Sequence, residues 1–225
     1  MSYEKNRLTV IVSFLCNNNC KFCVVAARRD QDKTGFRGFS EIKKKLKQNK
    51  EQGITSVEFS GGEPTIHPKI LQMVRLAKKI GYERIQITTN ARMLKYKDFS
   101  KKILDSGVNV FLFSLHGHNS KVHDTLTQVP GSFKETIQGM KNIKKLKEDF
   151  DGVQLINNLT ITKINYKYLF DSIKLLKNIG IDSFQFTFVN PFGNAWKYRK
   201  EIVPRVSKIE PYLSEVFDFF DEDIY

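Results

Sequence analysis

A chain of 225 residues, 40% hydrophobic and 27% charged, suits one large α/β domain better than two small ones and excludes a disordered segment. No apolar run approaches the roughly 20 residues of a membrane helix, and MSYEKNRL lacks the apolar core of a signal peptide, so a cytoplasmic protein with no membrane partner is expected. The net charge of +13 is uneven: residues 1–110 carry 22 Lys and Arg against 10 Asp and Glu, residues 111–225 carry 15 against 14.

In chain order, LTVIVSFL (8–15) is a compact β-rich run, and CNNNCKFC (16–23) follows it. Residues 39–52 read as a helix capped by Ser40 and stopped by Gly53. Its run EIKKKLKQNK sets lysines along a solvated face. That reading outweighs a nucleic-acid surface, since no base-reading motif accompanies the charge. ITSVEFS (54–60) is a strand that leads into GGEP (61–64). Residues 68–80 form a helix with Ile70, Leu71, Val74, Leu76, Ala77 and Ile80 as its apolar positions. Strand 84–89 ends in TTN, helix 97–106 stops before Gly107, and strand 109–116 ends in SLHGH. Then come helix 132–149, strand 153–162 with Asn157 and Asn158 inside it, and helix 166–179 before Gly180. Strand 182–190 runs into NPFGNAW, and 207–221 is the last helix.

Six β–α units imply a parallel sheet with right-handed crossovers. Periodicity alone does not choose between an open doubly wound sheet and a barrel. In both, ligands bind beyond the carboxyl ends of the strands. Cysteines, glycines, a carboxylate and amides gather at those ends here.

Cys16, Cys20 and Cys23 are the only cysteines of the chain. Three thiols in one loop of an unexported protein favour metal or redox chemistry over disulfides. A structural zinc would need a fourth ligand that the neighbouring sequence does not offer. A [4Fe–4S] cluster normally takes four thiolates, so three would leave one iron open to a small molecule.

The C-x3-C-x2-C spacing after strand 1, Phe22 before the last cysteine and GGEP after strand 2 together resemble the radical S-adenosylmethionine (radical SAM) superfamily. The resemblance covers roughly residues 8–190. It implies a partial (β/α)6 TIM-like barrel, curled but not closed. It implies a [4Fe–4S] cluster on Cys16, Cys20 and Cys23, with S-adenosyl-L-methionine (SAM) on the open iron. The implied reaction is reductive cleavage of SAM to methionine and a 5′-deoxyadenosyl radical, which takes hydrogen from a substrate. An electron donor such as flavodoxin or ferredoxin is implied as a partner.

The resemblance also assigns residues. Phe22 would contact the adenine. Gly61, Gly62 and Glu63, followed by Pro64, would hold the methionyl ammonium through backbone carbonyls and the Glu63 carboxylate. Ser114 would bind the ribose or the SAM carboxylate. His116 stands where peptide-modifying relatives read S-x-D-G, which removes an acid. No Arg stands near Thr127, so Thr127 or a lysine would have to pair the SAM carboxylate. Asn90 and Thr89 end strand 3 and would face SAM or substrate. Strand alternation lets one of Asn157 and Asn158 point inward, and Asn158 would reach the ribose. Phe188, Asn190 and Trp196 would wall the adenine or the substrate mouth, with core packing an equal reading. Surface or capping roles are the default for His67, His116, His118 and His123. No catalytic side chain is assigned.

The chain is expected to be a single core domain, 1–225. The end LSEVFDFFDEDIY and the absence of further cysteines favour a fragment lacking a C-terminal extension over a minimal enzyme. Modification of a peptide or small molecule ranks first as the reaction, because SLHGHN, HDTLT and GSF look most like the branch of peptide maturases and molybdenum-cofactor synthesis proteins. Activation of a glycyl-radical enzyme ranks second and RNA modification third. Outside enzymes, a non-catalytic Fe–S scaffold or electron carrier is the alternative. The amine-binding turn at Gly61–Glu63 argues against that.

Overall fold

Six strands carry the fold: β1 (Arg7–Ser13), β2 (Ser56–Gly61), β3 (Arg84–Thr89), β4 (Val110–Phe113), β5 (Gln154–Ile161) and β6 (Ser183–Phe188). The computed structural model describes residues 7–32 and 34–221. The start MSYEKN and the end EDIY, on which the leader and fragment readings partly rest, lie outside these. The strands pair in chain order, each with the next and all parallel. A doubly wound sheet reverses its order at a switch point, and this one never does. Right-handed crossovers then place the helices on one face and curl the sheet about the other. Among the described residues no ladder joins β6 to β1, so the barrel is partial, as the resemblance implies.

The described residues form ten α-helices: α1 (Ala26–Gln31), α2 (Phe39–Glu51), α3 (Ile70–Lys79), α4 (Lys97–Ser106), α5 (Ser120–Thr127), α6 (Ser132–Leu146), α7 (Leu169–Ile179), α8 (Asn194–Lys197), α9 (Arg199–Ile202) and α10 (Glu210–Asp221). No helix among the described residues is long and apolar enough to cross a membrane. Leu8, Val10 and Val12 of β1, Val57 and Phe59 of β2, and Phe111 and Phe113 of β4 alternate onto the helix side and are buried. Each such phenylalanine contributes about 2 to 3 kcal/mol by leaving water. The helices answer at helical spacing, as with Ile70, Met73, Val74 and Ala77 of α3.

The concave face is polar, where a closed barrel packs branched apolar chains. There Glu58 accepts from Thr88 Oγ1 at 2.7 Å and meets Arg7 at 3.4 Å, and Arg84 donates to Gln154 at 2.8 Å. The open edge of β1 is partly covered by the backbone of Phe36 and Arg37, whose N–H donates to the Val12 carbonyl at 2.9 Å.

The elements differ from the sequence reading at several places, the short helices α1, α8 and α9 among them. Helix α2 begins at Phe39 with Gly38 as its cap, so Ser40 lies in the first turn and caps nothing. Strand β4 stops at Phe113 because the Asn157 side chain takes over both backbone bonds of Leu115, at 3.0 and 3.1 Å. Helix α5 went unread, since eight residues hold too few periods. Its start is signalled only by Asn119, whose Oδ1 accepts the Val122 N–H at 3.0 Å.

Candidate cluster and cofactor site at the barrel rim

The cysteine loop is anchored through its backbone. Asn19 N–H and Lys21 N–H donate to the Thr127 and Leu126 carbonyls at the end of α5, at 3.0 and 2.8 Å. Arg92 donates to the Asn17 carbonyl and to Asn18 Oδ1 while paired with Glu135 of α6. From the far side of the barrel, Asn194 N–H donates to the Cys23 carbonyl at 3.0 Å and its side-chain amide to the Cys20 carbonyl at 3.1 Å. The cysteine loop and the segment after β6 thus bridge the rim where β1 and β6 do not pair.

The GGEP turn is pressed onto the same loop. Gly62 N–H donates to the Ser13 carbonyl at 2.7 Å, and Glu63 N–H to the Leu15 carbonyl at 2.8 Å. A Cβ at Gly61, whose φ is +124°, would stand 2.2 Å from the Ser13 oxygen, and one at Gly62 would stand 2.0 Å from the Leu15 oxygen. Only glycine permits this backbone-to-backbone contact.

Glu63 is buried, and protein donors occupy its carboxylate. Oε1 accepts from Thr65 N–H, the Thr65 hydroxyl and the Thr89 hydroxyl, and Oε2 accepts from Asn90 N–H at 2.7 Å. Burial raises its pKa while these bonds pull the other way. Oε2 keeps one lone pair for a further donor. Asn90 carries the network onward: its amide nitrogen lies 2.7 Å from Asn17 Oδ1 and 3.9 Å from Cys16 Sγ.

The three cysteines are free and half-buried. Burial and the nearby Glu63 carboxylate push the Cys16 thiol up to about 12, and burial takes Cys20 well above its ordinary value. Left to themselves Cys16 and Cys20 are thiols. A cationic iron would supply the missing counter-charge and release the protons. Cys16 Sγ also accepts from Asn18 N–H at 3.3 Å, the kind of donor that tunes a thiolate-bound cluster. Three cysteines in one loop, with a backbone N–H on Cys16 Sγ, are a donor set whose chemistry suits an iron–sulfur group.

On the concave wall, Ser114 follows β4 and its hydroxyl has no hydrogen-bond partner among the described residues. Asn158 lies one position beyond the Phe113–Asn157 pair, on the same face. Its Oδ1 accepts from Thr187 at 2.6 Å and its amide nitrogen is unpartnered. Asn157 points to the helix side and is buried. Phe22 meets His116 edge to face, with ring centroids 4.5 Å apart. Phe188, Phe192 and Trp196 are exposed, which removes the core reading for Phe188 and Trp196.

Of the surface and capping readings the structure realises the capping one for His67, His116 and His123, which are buried and serve as backbone caps inside the protein. His67 Nδ1 accepts from Lys69 N–H, His116 Nδ1 from Thr160 N–H and His123 Nδ1 from His116 N–H, all near 3 Å. One expectation needs correction. Thr127 is fully buried with its hydroxyl 2.6 Å from Ser132, so it is not available to a ligand. Sequence reasoning missed Arg92 and Asn194. Arg92 stands in no motif, and Asn194, though within NPFGNAW, carries no signal that sets it apart; only the fold brings them to the loop.

The fold and site define a singly wound, partial α/β barrel with three thiols gathered after its first strand. Comparison with known families makes this specific. The Radical SAM superfamily model matches residues 10–159, and the chain belongs to that superfamily. It is 26% identical over 204 residues to the AdoMet-dependent heme synthase of Oleidesulfovibrio alaskensis, covering 91% of this chain and 50% of that protein. It is 27% identical over 209 residues to a probable GTP 3′,8-cyclase of Saccharolobus islandicus, covering 93% of this chain and 65% of the relative. The chain thus spans half to two thirds of the length of these relatives. Its fold is that of Streptococcus suis SuiB, whose structure bound to the precursor peptide SuiA superposes with a TM-score of 0.78 at 22% identity, over 96% of this chain and 46% of SuiB. SuiB has also been solved with SAM bound.

Proposed function

We propose that this chain is the catalytic core of a radical SAM enzyme that abstracts hydrogen from a peptide or small-molecule substrate. The observation that carries the reading is the two-glycine turn seated backbone against backbone on the three-thiol loop, beside a concave wall with free polar groups. Cys16, Cys20 and Cys23 would hold a [4Fe–4S] cluster, with SAM on the remaining iron. When bound, this pair supplies one-electron cleavage of a sulfonium, the source of a carbon radical.

The residues of the chain do the rest. The donors from Asn18 and Asn90 spread the charge on Cys16 sulfur. Glu63 locks the GGEP turn to the end of β3, so that the turn's backbone faces the ligand without reorganising. Its spare lone pair on Oε2 suits the SAM ammonium. Ser114 and the Asn158 amide would orient the ribose and carboxylate, and Phe22 would contact the adenine. The partial barrel keeps water from the reacting carbon. Electrons would come from a flavodoxin- or ferredoxin-like donor in the cytoplasm, where thiols stay reduced.

The test is anaerobic. The chain is reconstituted with iron and sulfide, reduced and given SAM, and the products are followed by mass spectrometry. Formation of 5′-deoxyadenosine and methionine is expected. Cluster assembly with SAM left intact would sink the enzyme reading and favour a scaffold or an electron carrier.

A further inference from the structure

Between the loop that follows β5 and the segment that follows β6 lies a cleft of about 810 Å³. Lys163, Lys167, Arg199, Lys200, Arg205 and Lys208 line it, and no acid does. None of the six pairs with a carboxylate among the described residues. Lys163 instead donates to the Lys200 carbonyl at 2.7 Å, and Arg199 lies over the Trp196 ring at 4.4 Å.

The general basicity of the chain does not explain the cleft. It belongs to residues 111–225, where 15 Lys and Arg stand against 14 Asp and Glu. In a charge-balanced half, six cations in one hollow without an acid are a cost in self-repulsion that a bound anion would relieve.

The form of the cleft selects the anion. Pro191, Val203, Pro204 and Tyr166 also line it, so its wall is partly apolar. No glycine-rich turn offers the clustered backbone N–H groups that grip a single phosphate. Tyr166 is the one aromatic ring of the lining, and it packs edge to face on Tyr212 at 5.3 Å, so the wall offers no row of platforms for successive nucleobases. Four lysines and two arginines spread over an apolar wall match carboxylates spaced along a chain.

We propose that this cleft binds an acidic stretch of polypeptide, the recognition segment of a peptide substrate; the inference rests on the peptide branch of the proposed function. The cleft is wired to the chemistry. Helix α9 gives Arg199 and Lys200 to the cleft, and its Glu201 pairs with Lys21 of the cysteine loop at 2.7 Å. The Ile202 carbonyl accepts from Lys163 N–H at 2.8 Å, tying both walls to that helix. A segment held here leaves the residues beside it at the barrel rim.

The experiment uses the full chain with its cluster reconstituted. Binding of a fluorescein-labelled peptide of alternating Glu and Val is followed by anisotropy at about 0.15 M salt, where distant charges are screened. The double variant Lys200→Glu/Arg205→Glu should weaken it about tenfold or more. Lys43→Glu/Lys44→Glu on the exposed face of α2 makes the same change in net charge and should weaken it less than about twofold. A Gln-for-Glu peptide should not bind. Equal weakening in both variants, equal binding of the Gln peptide, or tighter binding of inorganic triphosphate or single-stranded RNA would each overturn the assignment. SAM cleavage without peptide is measured in the same samples. If it proceeds while the peptide fails to bind, the cleft inference falls and the enzyme reading stands. If it is absent, the enzyme reading falls on its own.

Discussion

The two halves of the barrel rim treat their polar groups in opposite ways. After β1, β2 and β3, the prominent polar groups are bonded to protein: the Glu63 carboxylate to Thr65, Thr89 and Asn90, and the Asn90 amide to the cysteine loop. Among the described residues the Ser114 hydroxyl after β4 and the Asn158 amide within β5 have no partner, and Phe188, Phe192 and Trp196 are exposed, while Asn194 ties this half to the cysteine loop. The first half would make a stiff seat for the proposed cluster, and the second would keep several groups for ligands. Such a division suits a site that must fix a metal closely yet admit a substrate.

The largest effect should come from breaking the seat. Gly62→Ala puts a Cβ 2.0 Å from the Leu15 oxygen, a contact that backbone cannot evade without moving the cysteine loop. Iron and sulfide retained after anaerobic reconstitution should fall to near background. A fully loaded Gly62→Ala variant would show that turn and loop are independent.

Glu63→Ala comes next. The sequence alone suggests that this change spares the cluster and weakens only SAM binding. The structure adds a cost, because buried donors on Thr65, Thr89 and Asn90 lose their acceptor together. About 2 to 3 kcal/mol of stability should be lost, read from urea midpoints, with Glu63→Gln recovering part of it. A midpoint unchanged in Glu63→Ala would remove the network from the stability of the rim.

A third prediction concerns the dry layer under the open half. Burial holds His123 at about 4, against an ordinary 6.5, and its Nε2 is buried without a partner. The folded pKa is depressed, so the unfolded chain binds the proton first. Stability is full above about pH 6.5 and declines as pH falls toward 4, by about 3 kcal/mol from this residue. His123→Asn keeps an acceptor for the His116 N–H and should flatten that part of the stability–pH curve. Parallel curves for the two proteins would refute the assignment.

How much of this could be read from sequence follows the range of each interaction. Strand and helix periods are local, so the six β–α units, the thiol loop and GGEP were legible. Alternation even separated Asn157 from Asn158. Chain-order pairing was not legible, because β–α alternation fits a doubly wound sheet equally well until register is known. Glu63 looked like a ligand group, since its partners Thr89 and Asn90 lie 26 and 27 positions away. For the histidines the sequence left surface and capping roles open, because the backbone groups that His116 and His123 cap lie on other turns or strands. Asn194 reaches Cys20 across 174 positions, and no local pattern announces that contact.

The smallest effect is the most discriminating test of the comparison between the two halves. Ser114→Ala removes a hydroxyl that no described protein group uses, and Asn158→Ala leaves only the Thr187 hydroxyl without its acceptor, at an exposed position. Stability should move by less than about 0.5 kcal/mol in the first and little more in the second. Each residue should nevertheless contribute about one hydrogen bond to SAM, so affinity should fall by roughly five- to tenfold per substitution, near 1 kcal/mol. Equilibrium binding of SAM to the reconstituted protein reads this directly. Lower stability with unchanged affinity would reverse the division, making the open half structural. Unchanged stability with lower affinity is the pattern of groups kept in reserve, and it would place SAM on the wall between β4 and β5.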